Sequence, residues 1–146
     1  MEKNYPSSTK VVVVGGGVIG CSVVYHLTKF GWNDVVLLER DQLTSGTTWH
    51  AAGLVSQLGP TAAVTKIRKY TLDLYKKLEK EVEHFAGLRI NGALSIAQTE
   101  SRWQELRRQA TTAQLYDVDL RILNKEAIKK NYPMMNTEDL KGGVLM

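Results

Sequence analysis

Three glycines, one glutamate and one histidine carry the chemistry that can be read from this chain of 146 residues. Gly15, Gly17 and Gly20 form G-x-G-x-x-G. Gly15 permits a tight turn, Gly17 lets the backbone approach a pyrophosphate, and Gly20 lets a helix lie close to a strand. The amides around Val18 and Ile19 would open that helix and face a diphosphate. Glu39 follows about 20 residues later, where an acid accepts hydrogen bonds from a ribose diol. Its charge would repel a 2′-phosphate, so the ligand expected is FAD or NAD. The fingerprint does not choose between them. A loop whose glycines merely pack is the bland alternative, and the whole context argues against it.

The second feature is "TSGTTWHAAGLV", residues 44–55. It follows the second expected strand, and in doubly wound folds ligands lie at the carboxyl ends of strands. His50 is therefore on the ligand side by topology. Gly46, Thr47 and Thr48 can bring backbone and hydroxyl donors close to it. A nicotinamide enzyme has no obvious need for this histidine, whereas a flavin enzyme could use an imidazole nitrogen as a nucleophile. From the residues alone, a hydrogen-bonded loop histidine is the favoured reading, because a single histidine is poor evidence of attachment. Trp49 is a shield for such a link or a packing residue. His26 and His84 read as structural, and Cys21 as a packed small residue.

The elements that must position these residues follow from periodicity. "KVVVVGGG" reads as a strand buried on both faces, about 10–14. Val18, Val23, Val24 and Leu27 recur at helical spacing, and Gly31 ends the helix. "DVVLLER" is a second buried strand, completing a βαβ unit. A long amphipathic helix is expected over 62–84, with Val64, Ile67, Thr71, Leu74, Leu78, Val82 and Phe85 on its apolar face. "LRINGALSIA" reads as a hairpin turning at Asn91-Gly92. Thr99 would cap a helix with the stripe Trp103, Leu106, Ala110 and Ala113. "LRIL" is a short strand, Asn124 caps a short helix ending before Pro133, and "GGVLM" opens another strand. The class is α/β: a Rossmann-like FAD-binding βαβ unit (1–60), followed by part of an α+β substrate domain (61–146). Two parallel strands alone leave faces and edges uncovered, so the chain reads as the front part of something longer.

Composition narrows the class further. With one cysteine there is no internal disulfide. The net charge of +4 comes from basic residues mixed with acids, as in "YKKLEKEVEHF". That reads as a solvated helix face, and no nucleic-acid partner is expected. No window is apolar enough to span a membrane. The polar start lacks the marks of a signal or transit peptide, so cytoplasm is the default, or the mitochondrial matrix if a leader has been removed. No His/Cys/Asp/Glu cluster has metal-ligand spacing, so no metal is expected.

The run from "VVVVGGGVIG" to "TSGTTWHAAGLV", with looser echoes in "NGALSIA" and "YPMMNTEDLKGGVL", resembles the amino-terminal part of the dimethylglycine dehydrogenase and sarcosine dehydrogenase family. These are flavoenzymes with the D-amino-acid-oxidase type of fold. The resemblance implies that His50 carries FAD covalently. It also implies that Val18, Ile19, Glu39, Arg40 and the run Gly46, Thr47, Thr48, Trp49, His50, Ala51, Ala52, Gly53, Leu54 line the cofactor. The implied reaction is oxidation of an N-methyl amine such as sarcosine or dimethylglycine, with hydride transfer to flavin N5 and release of formaldehyde. An electron-transfer flavoprotein is the implied acceptor, and tetrahydrofolate a partner only where a C-terminal folate domain exists. No catalytic acid or base is assigned on this chain, and the chain alone is expected not to turn over substrate. Three other readings stay in view. One is a binding relative of the same architecture, the regulatory subunit of pyruvate dehydrogenase phosphatase, whose pattern lacks the loop histidine. The second is an amino-acid oxidase with non-covalent FAD, and the third an NAD-dependent dehydrogenase.

Overall fold

The computed structural model describes residues 6–82 and 87–146 and divides into two compact units, 1–53 and 54–146.

The first unit is a βαβ element. Strand β1 (Val11–Val14) pairs in parallel with β2 (Val35–Leu38), in the register Val11↔Val35 to Val14↔Leu38. Helix α1 (Val18–Lys29) connects them. Its end is set by Gly31 at φ +87, a backbone state that glycine adopts without steric cost. Helix α1 meets the strands through the face of Gly20, Val24 and Leu27, which recur at i, i+4 and i+7 and are all half-buried. Two expectations need correcting. Val18 and Val23 are exposed, because the close approach at Gly20 turns them away from the strands. Strand β1 is not buried on both faces either: Val12 and Val14 are exposed, since α1 covers only the alternate face of a strand.

The second unit is α+β. After helix α2 (Ala62–Glu81) come β3 (Leu94–Ala97), α3 (Glu100–Gln114), β4 (Arg121–Leu123), α4 (Lys125–Asn131) and β5 (Gly142–Leu145). The three strands form an antiparallel sheet in the order β3-β5-β4. Helix α3 covers one face, where Leu106, Ala97, Ala110 and Val144 make a buried cluster flanked by Trp103 and Leu120. Ile128 of α4 reaches the other face beside Gly143. The side chains of Thr99 and Asn124 cap α3 and α4, accepting from Arg102 N at 3.3 Å and Ala127 N at 2.9 Å, and the stripe of α3 is buried as its spacing implies.

The expected hairpin at 88–97 does not form. Gly92 does take a positive φ of +78, but 87–93 carries no strand. The antiparallel partner of β3 is β5, nearly fifty residues later, and Ala93 closes the ladder by exchanging hydrogen bonds with Met146. The buried face of α2 is also rotated from the expected one. Thr65 and Leu72 are buried, whereas Ile67 and Val82 are exposed; Phe85 and His84 lie outside the described residues. Thr65 tolerates burial because its hydroxyl donates to the Thr61 carbonyl at 3.0 Å and accepts from Gly59 N at 3.1 Å. Arg68 on the same face donates to the Leu58 carbonyl at 2.6 Å, and the Lys69 ammonium donates to the Tyr116 carbonyl.

Candidate functional site: a glycine turn, an acid and a docked histidine loop

The site is built within the first unit. Gly15 leaves β1 at φ +100 and donates its amide to the Leu38 carbonyl at 2.8 Å. Gly20 faces the Gly15 carbonyl oxygen so closely that a Cβ there would overlap it. Gly17 is the N-cap of α1 and offers no capping side chain. The amides of the first helical turn therefore have no acceptor inside the helix. Val18 finds one in the Thr48 hydroxyl at 2.9 Å, and the turn as a whole favours negative charge.

Glu39 lies just past β2 and folds back on to the glycine turn. Its Oε2 accepts from Gly16 N at 2.6 Å, and its Oε1 accepts from Arg40 N at 2.7 Å and Asp41 N at 3.1 Å. The amide of Gly16, followed by that of Asp41, holds this carboxyl below its ordinary value of 4.5; partial burial opposes them, and Arg40 contributes through its amide and its charge. Since the folded value is the lower one, the stabilisation is complete above about pH 4.5 and is lost as the pH falls through the folded-state value. We expect the melting temperature of the chain to fall on acidification, and to fall less steeply in a Glu39→Gln variant. Calorimetric melts from neutral to acid pH would measure this, and identical slopes would remove the linkage.

The loop that follows carries the histidine. Residues Thr47–His50 form a 3-10 turn with Gly46 before it and Ala51 after it. The His50 Nδ1 lies 3.0 Å from the Gly46 carbonyl. A carbonyl only accepts, so Nδ1 is the donor, and in the Nδ1–H tautomer the lone pair lies on Nε2. Trp49 stands out into solvent and does not cover the ring's surroundings by burial. Thr44, at φ 65, is in a left-handed state that costs a β-branched residue about 1–2 kcal/mol. It is held there by its amide, which donates to the Gly16 carbonyl at 2.9 Å, and by its carbonyl, which accepts from Trp49 N at 3.1 Å.

The structure thus gathers Gly15, Gly17, Val18, Gly20, Glu39, Thr48 and His50 into one array. The backbone of Arg40 belongs to it, as do Gly46 and Thr47 as the start of the turn; Ile19, 78% exposed, stands at the mouth of α1. Ala51, Ala52 and Gly53 continue the loop, and Leu54 falls in the second unit. Gly16, Leu43 and Thr44 were missed by sequence reasoning. Gly16 binds Glu39 through its amide and Thr44 through its carbonyl, and the Leu43 side chain fills the space where a Gly16 Cβ would be. Its signal was visible as the middle glycine of "GGG", which the fingerprint leaves unassigned. The other structural assignments keep Cys21 half-buried, with its thiol 3.4 Å from the Gly16 carbonyl, and tie His26 Nδ1 to Ser22 of its own helix.

A strand, a glycine turn offering helix amides and an acid at the end of the next strand define a dinucleotide-binding βαβ unit. The donors fit a diphosphate and the ionised Glu39 fits a ribose diol. The family described as FAD dependent oxidoreductase matches residues 10–146, and the chain belongs to that family. It is 42% identical over 138 residues to human mitochondrial sarcosine dehydrogenase, covering 94% of this chain and 15% of that protein. It is 35% identical over 143 residues to human mitochondrial dimethylglycine dehydrogenase, covering 98% of this chain and 16% of that protein. Among solved structures, L-proline dehydrogenase from P. horikoshii superposes with a TM-score of 0.87 at 20% identity, over 97% of this chain and 37% of that one, which is a likeness of fold. The chain therefore spans about one sixth of the length of these curated relatives. Among the described residues, no helix is long and apolar enough to cross a membrane.

Proposed function

We propose that this chain is the flavin-anchoring part of an oxidoreductase that demethylates N-methyl amines of the sarcosine or dimethylglycine type, with His50 as the covalent attachment residue. The observation that carries the reading is the His50 ring: its Nδ1–H is engaged by the Gly46 carbonyl, and in that tautomer Nε2 would be the nucleophilic nitrogen. The amides of Ile19 and Gly20 in the first turn of α1 and the Glu39 carboxylate would hold the diphosphate and the ribose, the Val18 amide being taken by Thr48. FAD, when bound, supplies the acceptor for two electrons and the hydrogen of the N-methyl C–H bond. The residues of this chain bind and orient it and restrain its position. In this reading the second unit contributes to the amine side, and the electrons leave to a partner such as an electron-transfer flavoprotein.

Intact mass under denaturing conditions tests the assignment. The chain incubated with FAD is expected to carry the added mass of one FAD, on the peptide containing His50. A His50→Ala variant is expected to show the bare mass while retaining separable flavin through the glycine turn. A bare parent chain would sink the covalent reading, and retained but separable flavin in the parent would favour an oxidase with non-covalent FAD. No flavin in either state would favour a binding role.

A further inference from the structure

We infer that Thr48 is a positioning residue, whose hydroxyl latches the His50 turn on to the first amide of α1 and so sets where the imidazole stands relative to the glycine turn. The inference rests on the reading of His50 as the attachment residue, and it concerns a different side chain. Val18 N donates to Thr48 Oγ1 at 2.9 Å, across thirty residues of sequence. Thr48 is half-buried, while its neighbours Thr47, Trp49 and His50 are exposed, so it is the member of the 3-10 turn that faces the rest of the unit. Gly17 makes room for it: a Cβ there would stand 3.1 Å from the Thr48 oxygen.

The loop needs such a latch. Thr44 sits in a left-handed state that a free chain avoids, so the docked loop is not the conformation its residues prefer locally. Two backbone bonds act at its near end, Thr44 N to the Gly16 carbonyl and Trp49 N to the Thr44 carbonyl. Near the His50 end, Thr48 is the one side chain of the turn hydrogen-bonded to the glycine-turn side of the unit among the described residues. Among the described residues, His50 itself is hydrogen-bonded within the turn alone, to Gly46. The position of its ring is therefore inherited from Thr48. Valine has the same shape without the acceptor, and serine keeps the acceptor without the methyl group.

Hydrogen exchange on the full chain, with and without FAD, reads the latch independently of any activity. Thr48→Val is expected to speed exchange at the Val18 amide by about five- to tenfold and to deprotect residues 43–50 as well. Thr48→Ser is expected to restore both. With FAD present, Thr48→Val is expected to slow covalent attachment more than it lowers total flavin retained, with Thr48→Ser near the parent. Exchange unchanged in Thr48→Val, or raised at Val18 while 43–50 stays protected, would overturn the inference. So would a Thr48→Ser variant that behaves like Thr48→Val while both keep the parent's circular dichroism. If the parent attaches no flavin, the reading of His50 fails, and the exchange comparison still decides the latch.

Discussion

Replacing Gly20 by alanine is expected to lower the stability of the first unit by about 2 kcal/mol and to abolish flavin retention. Two effects oppose each other. Alanine in a helix interior is favoured over glycine by about 1 kcal/mol. Against this, the new Cβ would overlap the Gly15 carbonyl oxygen, and overpacking costs about 1–3 kcal/mol or more when the obstacle does not yield. The obstacle here is backbone at the tightest point of the turn, fixed in turn by the hydrogen bond from Gly15 N to Leu38, so the upper end applies and the overlap wins. Relief requires α1 to move off the strands, which carries the Val18 amide away from Thr48. Gly46→Ala is the control, since φ there is −83 and nothing lies within 4 Å of the added carbon. It is expected to be within about 0.5 kcal/mol of the parent. Urea titrations followed by exchange of peptides from residues 11–38 would compare them. A Gly20→Ala chain as stable as Gly46→Ala would mean that the turn adapts freely.

The second large effect belongs to the other unit. Leu106 is fully buried at the centre of the cluster that joins α3 to β3 and β5. Leu106→Ala removes that contact and leaves a cavity whose walls are two strands and the same helix, with little scope for collapse. A loss of about 3–4 kcal/mol is expected. Trp103 packs against the same cluster and is a local reporter. In a Trp32→Phe, Trp49→Phe background its fluorescence would follow the second unit alone, which also separates the two units' transitions. A shift of less than 1 kcal/mol would show that the α3 interface is not what holds this sheet together.

The sequence was most informative where a single residue type has one physical use. Gly15 and Gly20 were assigned from spacing, and their φ value and crowding match the jobs assigned. Thr99 and Asn124 were legible as caps for the same reason, because a side-chain oxygen before a helix has an amide to satisfy. What failed depended on partners distant in the chain. "LRINGALSIA" carries a genuine turn signal, and Gly92 does take positive φ, but the strand's partner was chosen by β5 and not by the turn. The face of α2 was misread because Thr65 counts as polar in any periodicity, and only the carbonyl of Thr61 and the amide of Gly59 make it a core residue. In the site, Glu39 and His50 were visible as types and positions. The link between them, through Gly16, Thr44 and Thr48, was not, because each of its four hydrogen bonds is donated by a backbone amide and two of them are also accepted by a backbone carbonyl, groups that carry no sequence signal.

The sheet order β3-β5-β4 has a consequence for how the chain is made. The central strand is the last of the three in sequence, so β3 and β4 leave the ribosome with no partner for either edge. Synthesis at about 5–20 residues per second leaves β3 waiting for seconds until 142–145 has been added. The βαβ unit, by contrast, is complete by residue 38, and its strand partners lie 24 residues apart where those of β3 and β5 lie nearly fifty apart. During synthesis the nucleotide-binding unit can therefore form first, and a nascent chain stalled before β5 should hold a folded glycine turn beside an unassembled second unit.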